Sequence, residues 1–257
     1  MVGLARSAQE SRAGDRDMTH ELAILVATAA TIGVLHTLIG PDHYVPFVAM
    51  AGARRWSLQR TLGMTTICGI GHVLGSVLLG TLGIGLGWAL GGLEWLEAAR
   101  GEIAAWLLVG FGLAYTAWGL RQAARRRPHA HWHSHRDGTV HDHTHVHRQE
   151  HAHAHQAPAG SRPLRSATPW VLFVIFVLGP CEALIPILMV PAAAGSWWGV
   201  TLVVSVFGIV TVSTMLLAVT IGYLGISRLS LGSLERYSHA LAGLALVVCG
   251  LTIQLGL

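Results

Sequence analysis

Long apolar stretches separated by short polar ones follow one another from residue 21 to the end of the chain. A stretch of about 20 apolar residues is long enough to cross a bilayer as a helix. The pattern predicts six spans, at residues 21–53, 61–90, 102–123, 168–194, 198–226 and 237–257. Residues 91–101 mix apolar and charged positions in the manner of an amphipathic helix at the membrane surface. We therefore predict an all-α polytopic membrane protein.

Two of the spans contain a Gly-Pro pair, Gly40-Pro41 in the first and Gly179-Pro180 in the fourth. Proline lacks an N–H group and ends or kinks a helix, so each of these spans is predicted to consist of two shorter helices. The two pairs are 139 residues apart, and Gly112-Leu113 and Gly250-Leu251 match at a spacing of 138. A near-constant spacing over three spans predicts a repeat, residues 21–123 and 168–257. Since three is an odd number, the second unit would be inverted.

Composition and charge agree with a membrane location. The chain is 52% hydrophobic and 12% charged, whereas soluble domains carry about 25% charged residues. The formal net charge of +4 comes from arginines near the membrane edges, so we expect the lipid bilayer and no nucleic acid as a partner. Residues 1–20 lack the apolar core of a signal peptide. We expect them to form a disordered tail, with Met18 as an alternative start.

The arginines also predict the orientation of the spans. They concentrate in residues 54–60, 121–165 and 228–236, whereas the opposite links carry one, Arg100. Loops rich in arginine stay on the cytoplasmic side. Both termini are therefore expected outside the cytoplasm and residues 124–167 inside it. The predicted location is the cytoplasmic (inner) membrane.

The cytoplasmic loop at residues 124–167 is rich in histidine, mostly at alternate positions. Neutral imidazoles on a polar loop are ligands for late first-row divalent metals, and the alternation favours a fluid chelator over a folded site. A solvated polar linker is the alternative. The loop histidines are His129, His131, His133, His135, His141, His143, His145, His147, His151, His153 and His155.

Ionisable residues also occur inside the spans, where they are costly and usually functional. His36, Asp42 and His43 flank the first helix break, and the imidazoles suit Ni, Co, Cu or Zn. Helix capping is the alternative for His36, Asp42, His43 and Glu182, and hydrogen bonding in the protein interior is the alternative for His72. The predicted metal ligands are His36, Asp42, His43, His72, Cys181, Glu182 and His239; packing or an interfacial position is the alternative for Cys181 and His239.

With the stretch from His36 to His43, the Gly69-Ile70-Gly71-His72 motif and the Gly179-Pro180-Cys181 turn, the chain resembles the nickel/cobalt transporter families. It is most similar to the six-span nickel/cobalt exporters and the urease-accessory-like nickel permeases. The resemblance covers nearly all of the chain after residue 20. It implies a secondary transporter and not an enzyme, with Ni(II) or Co(II) as substrate and no permanent cofactor. The cytoplasmic histidine loop favours export slightly over uptake.

Two other functions stay open from the sequence. A carrier for Zn(II) or another divalent metal would use similar ligands, but the diffusion-facilitator class normally adds a cytoplasmic C-terminal domain. A transmembrane thiol-disulfide carrier would need a cysteine at both breaks, and the position that matches Cys181 is Asp42. Oligomeric state and coupling ion do not follow from these residues.

Overall fold

The computed structural model describes residues 2–87, 90–125, 129–134, 140–145, 168–179, 181, 183–228 and 232–256. The helices are α1 (Val2–Ile39), α2 (Val45–Arg54), α3 (Leu58–Gly85), α4 (Leu90–Arg125), α5 (Thr168–Leu178), α6 (Leu184–Ala193), α7 (Trp197–Arg228) and α8 (Ser238–Gln254). Turns of 3₁₀ helix occur at Pro41–His43 and Gly232–Tyr237. Helix α1 packs against α7, α3 against α5 and α7, and α4 against α8.

Within the described residues, five helices are long and apolar enough to cross a membrane. They carry apolar side chains on their outer faces, and Leu78, Ile209 and Leu217 are among the most exposed. Such exposed apolar surface is unusual for a soluble protein and fits contact with lipid. The fold is therefore that of a multi-pass membrane protein.

The predicted fourth span, residues 168–194, is not one spanning helix. Helix α5 ends at Leu178 and α6 begins at Leu184, and each is only 10 or 11 residues long. The break at Gly179 is where the sequence predicts it, and it leaves two helices that are each too short to span a bilayer. The first break is also confirmed, since α1 ends at Ile39 and α2 begins at Val45.

Two segments in the N-terminal half of the chain continue the neighbouring helices. Residues 91–101, expected at the membrane surface, belong to one continuous helix with residues 102–123. Within this helix Glu97 and Arg100 form an ion pair in the protein interior. Helix α1 also includes residues 2–20, which we expected to be disordered. That segment contains no proline and several strong helix formers.

The loop contains the strands of the fold, which the all-α prediction did not include. Strand β1 (His129–Ser134) pairs antiparallel with β2 (Val140–His145). The register places His129 opposite His145, His131 opposite His143, and His133 opposite His141. A period of two residues is the pattern of a strand, whereas the sequence prediction considered a fluid chelator or a solvated polar linker. The loop histidines 135, 147, 151, 153 and 155 lie outside the described residues.

Glycines allow α4 and α8 to approach closely. A Cβ atom added at Gly112 of α4 would lie 2.8 Å from the carbonyl oxygen of Gly243 and 2.8 Å from a methyl group of Val247. A Cβ atom added at Gly250 of α8 would lie 2.8 Å from the carbonyl oxygen of Ala105. Small residues at these points let the two backbones touch, as is typical of helix pairs in membranes.

We expect Gly112→Ala to lower the free energy of unfolding by about 1–3 kcal/mol, because the added methyl group overpacks this interface. Gly110→Ala is the matched control on the same helix, since a Cβ atom there meets nothing within 4 Å. Alanine is the better helix former, so the control should leave Tm unchanged or slightly raised. Thermal melting of the detergent-solubilised protein measures both variants, and equal Tm values would contradict the close contact.

Candidate metal centre

Three imidazoles from separate elements meet inside the helical bundle. His36 is in the last turn of α1, His43 is in the 3₁₀ turn that follows, and His72 is in the middle of α3. One ring nitrogen of each lies within 4.8 Å of those of the other two. The ring centroids are 4.5 Å apart for His36 and His43 and 5.1 Å apart for His43 and His72. This spacing brings three nitrogen donors to one point.

The three Nε2 atoms are buried and have no hydrogen-bond partner among the described residues. His43 and His72 are each only 2% exposed. A buried polar atom without a partner costs about 1–3 kcal/mol, and three in one cluster of imidazoles call for an explanation. A metal ion bound by the three Nε2 lone pairs would satisfy all of them together.

The opposite nitrogens of two rings are already occupied. His43 Nδ1 lies 3.2 Å from Asp42 Oδ1 and 3.1 Å from the carbonyl oxygen of Gly40. His72 Nδ1 lies 3.2 Å from the carbonyl oxygen of Phe176. A carbonyl oxygen only accepts, so these contacts are hydrogen bonds when Nδ1 carries the proton and Nε2 is free. Metal-binding histidines are normally oriented in this way.

The helix break is what brings His36 and His43 together. Pro41 cannot continue the hydrogen bonding of α1, and the chain folds into a 3₁₀ turn in which the N–H of His43 donates to the carbonyl oxygen of Gly40 at 3.1 Å. A Cβ atom at residue 40 would lie only 2.6 Å from His43 Nδ1 and 2.8 Å from Asp42 Oδ1. Glycine is therefore required for the imidazole and the carboxylate to pack over this turn.

The second break forms the opposite wall of the site. A small cavity of about 20 Å³ is lined by Asp42, His43 and His72 on one side and by Phe176 and Gly179 on the other. Its volume is just above the ~10–15 Å³ that a cavity needs in order to hold one water molecule. A Cβ atom at Gly179 would lie 3.2 Å from His72 Nδ1. The chain around the second break thus contacts the site through its backbone.

The other predicted ligands have different positions. Cys181 is buried in an apolar cluster with Ala29 and Phe207, and the structure does not bring it into the three-histidine group. The Nδ1 atom of His239 lies 2.9 Å from the hydroxyl oxygen of Tyr115, away from that group. Asp42 contacts His43 and does not join the three nitrogens. Glu182 and Pro180 lie outside the described residues.

One buried polar group near the site is absent from the sequence-based predictions. Glu97 is fully buried, and Arg100, one helical turn later, contacts it and also the second break. A Glu and an Arg at positions i and i+3 form a pair on one helix face. This spacing of two opposite charges inside an apolar stretch could have indicated a buried pair. The sequence prediction interpreted it as the pattern of a helix at the membrane surface.

Comparisons of the chain with models of protein families, with curated proteins and with solved structures give no match. The resemblance to the nickel/cobalt transporters stays a prediction.

Asp42 is expected to orient His43 and not to bind metal itself. Asp42→Ala should then weaken binding of Ni(II) about 10–100-fold, which is the usual effect of losing a hydrogen-bond partner of a metal ligand. Asp42→Asn keeps an acceptor oxygen and should retain most of the affinity. Calorimetric titration of the full chain, with the eleven loop histidines replaced by glutamine, measures Kd at this site alone.

The exposed carboxylate Glu102 on α4 provides the matched control. Glu102→Ala should leave Kd unchanged. If Asp42→Asn binds as weakly as Asp42→Ala, the carboxylate is itself a metal ligand and the orienting role is wrong.

Proposed function

We propose that this protein is a secondary transporter that carries Ni(II) or Co(II) across the cytoplasmic membrane. The observation that carries the proposal is the convergence of three imidazoles inside a bundle of apolar helices, each with a ring nitrogen within 4.8 Å of the others and each with a buried Nε2 atom that has no hydrogen-bond partner among the described residues. Ionisable groups in such a position mark ion pathways. The metal is the substrate, and no step of the proposed cycle is an enzymatic reaction.

The donor set favours late first-row metals. Imidazole nitrogen suits Ni, Co, Cu and Zn, whereas Mg²⁺ and Ca²⁺ prefer oxygen ligands. Three imidazoles with an open position also suit Zn(II), so zinc is the competing substrate. The resemblance of the sequence to the nickel/cobalt families ranks nickel and cobalt first.

The arrangement of the helices supports a transporter built from an inverted repeat. Gly112 contacts Gly243, and Gly250 contacts Ala105. The proposed repeat matches residue 112 with residue 250 and residue 105 with residue 243, since both pairs are 138 positions apart. The contact between residues 112 and 243 in one direction therefore corresponds to the contact between residues 250 and 105 in the other. Transporters with inverted repeats place their substrate at broken helices between the two units. The cavity between the two breaks has that position.

In the proposed cycle the two units rock against each other and open the site to one side of the membrane at a time. The histidine-rich loop collects the metal on the cytoplasmic side, which favours export. Protons and metal compete for the same Nε2 lone pairs, so a proton gradient is the expected coupling force. Both termini then lie outside the cytoplasm.

Metal flux into inside-out vesicles, compared for Ni, Co, Zn and Cu, tests the substrate and the direction together. His36→Ala, His43→Ala and His72→Ala should each lower the initial rate about tenfold or more, because each removes one of three ligands. His239→Ala is the matched control, since this imidazole contacts Tyr115 away from the site. The control should transport at the wild-type rate.

Two outcomes would contradict the proposal. If the vesicles move neither nickel nor cobalt, these metals are not the substrate. If zinc moves faster than both, zinc is the substrate of the site. Histidine variants that keep the wild-type rate would show that the three-histidine group is not on the pathway.

A further inference from the structure

An ion pair lies in the bundle interior, beside the three-histidine group and outside it. Arg100 Nη2 lies 2.9 Å from Glu97 Oε2, and the two side chains are 13% and 0% exposed. Removing two charges from water costs several kcal/mol for each ion. Hydrophobic packing would be cheaper at this place. An ion pair kept in such a position therefore calls for a specific role.

The ion pair holds the second helix break. Helix α5 ends at Leu178, so the backbone groups that follow have no helical partners. Arg100 Nη2 donates to the carbonyl oxygen of Gly179 at 2.8 Å, and the N–H of Cys181 donates to Glu97 Oε2 at 3.4 Å. Arg100 Nη2 also donates to Ser76 Oγ at 2.5 Å. One donor and one acceptor from α4 thus fix both ends of the segment 179–181.

The fixed segment in turn contacts His72. The N–H of Gly179 donates to the carbonyl oxygen of Phe176 at 3.1 Å. The same oxygen lies 3.2 Å from His72 Nδ1. A continuous path of hydrogen bonds therefore runs from Arg100 through Gly179 and Phe176 to the ring of His72. At the end of this path the carbonyl oxygen of Phe176 accepts a hydrogen bond from Nδ1–H of His72. This contact stabilises the tautomer in which Nε2 carries no proton.

We propose that Glu97 and Arg100 are positioning residues for the metal site, which act on His72 through the backbone of Phe176 and Gly179. They keep His72 in the Nδ1–H tautomer, with Nε2 directed at His36 and His43. Neither residue touches the metal. The part of this inference that concerns metal affinity rests on the proposed function, whereas the part that concerns the tautomer does not.

The test uses the full chain with the eleven loop histidines replaced by glutamine, which retains His20, His36, His43, His72 and His239. The first measurement is the tautomer of His72 by ¹⁵N NMR of metal-free protein, with the signal assigned by its loss in His72→Ala. The second measurement is the Kd for Ni(II) by calorimetric titration. Thermal melting reports whether each variant is folded.

Arg100→Gln removes a positive charge from beside the buried Glu97 carboxylate and is at risk of misfolding. The double variant Glu97→Gln/Arg100→Gln removes both charges and avoids this cost. In the double variant we expect the Nδ1–H signal of His72 to give way to a mixture of tautomers. The Kd should rise about 10–100-fold, as for other lost partners of metal-binding histidines.

Arg100→Lys provides the rescue. A single atom, Nη2, contacts Glu97, Ser76 and Gly179, so an ammonium group with three protons can replace it. We expect this variant to keep the tautomer and most of the affinity. The exposed pair Arg55 and Glu235 is the matched control, and Arg55→Gln/Glu235→Gln should change neither measurement.

A folded double variant with the wild-type tautomer and Kd would overturn the inference, even if its Tm is lower, because the pair would then be merely structural. A lysine variant as weak as the double variant would overturn it too. If His36→Ala also leaves Kd unchanged, the proposed function fails separately, and the tautomer measurement still decides the role of the pair.

Discussion

A helix that stops inside a membrane must find partners for the backbone groups that it frees, because no water is present to serve them. This chain meets the requirement twice, in different ways. At the first break the partners are local: a 3₁₀ turn satisfies the N–H of His43, and the imidazole of His43 itself contacts the carbonyl oxygen of Gly40. At the second break the partners come from α4, through Glu97 and Arg100. The contacts that satisfy the backbone at the two breaks also set the positions of the three imidazoles.

The two breaks contribute unequally to the site. All three Nε2 donors belong to the N-terminal half of the chain, at His36, His43 and His72. The C-terminal half contributes backbone atoms, the carbonyl oxygen of Phe176 and the surface of Gly179. The sequence suggested side-chain ligands from both halves. Cys181 lies outside the three-histidine group, beside Ala29 and Phe207 on one side and Ser76 and Glu97 on the other.

The sequence was enough to predict the features that depend only on residues close together in the chain. The Gly-Pro pairs mark both breaks, because proline cannot continue a helix. The ligands His36, His43 and His72 were recognisable because imidazoles are rare in apolar stretches. The continuous helix α4 was missed, because an amphipathic pattern looks the same whether Glu97 and Arg100 face headgroups or each other. Only the tertiary contact with Ser76 and Gly179 separates these two cases.

The small volume of the cavity has a consequence for ion selection. The cavity lined by His43, His72 and Gly179 has room for about one water molecule, so a hydrated cation would have to lose most of its waters to enter it. It has to exchange those waters for ring nitrogens on the way. Magnesium, which dehydrates reluctantly and prefers oxygen, would lose its water without adequate replacement. If the proposed site binds a metal, the cost of dehydration alone would therefore disfavour magnesium.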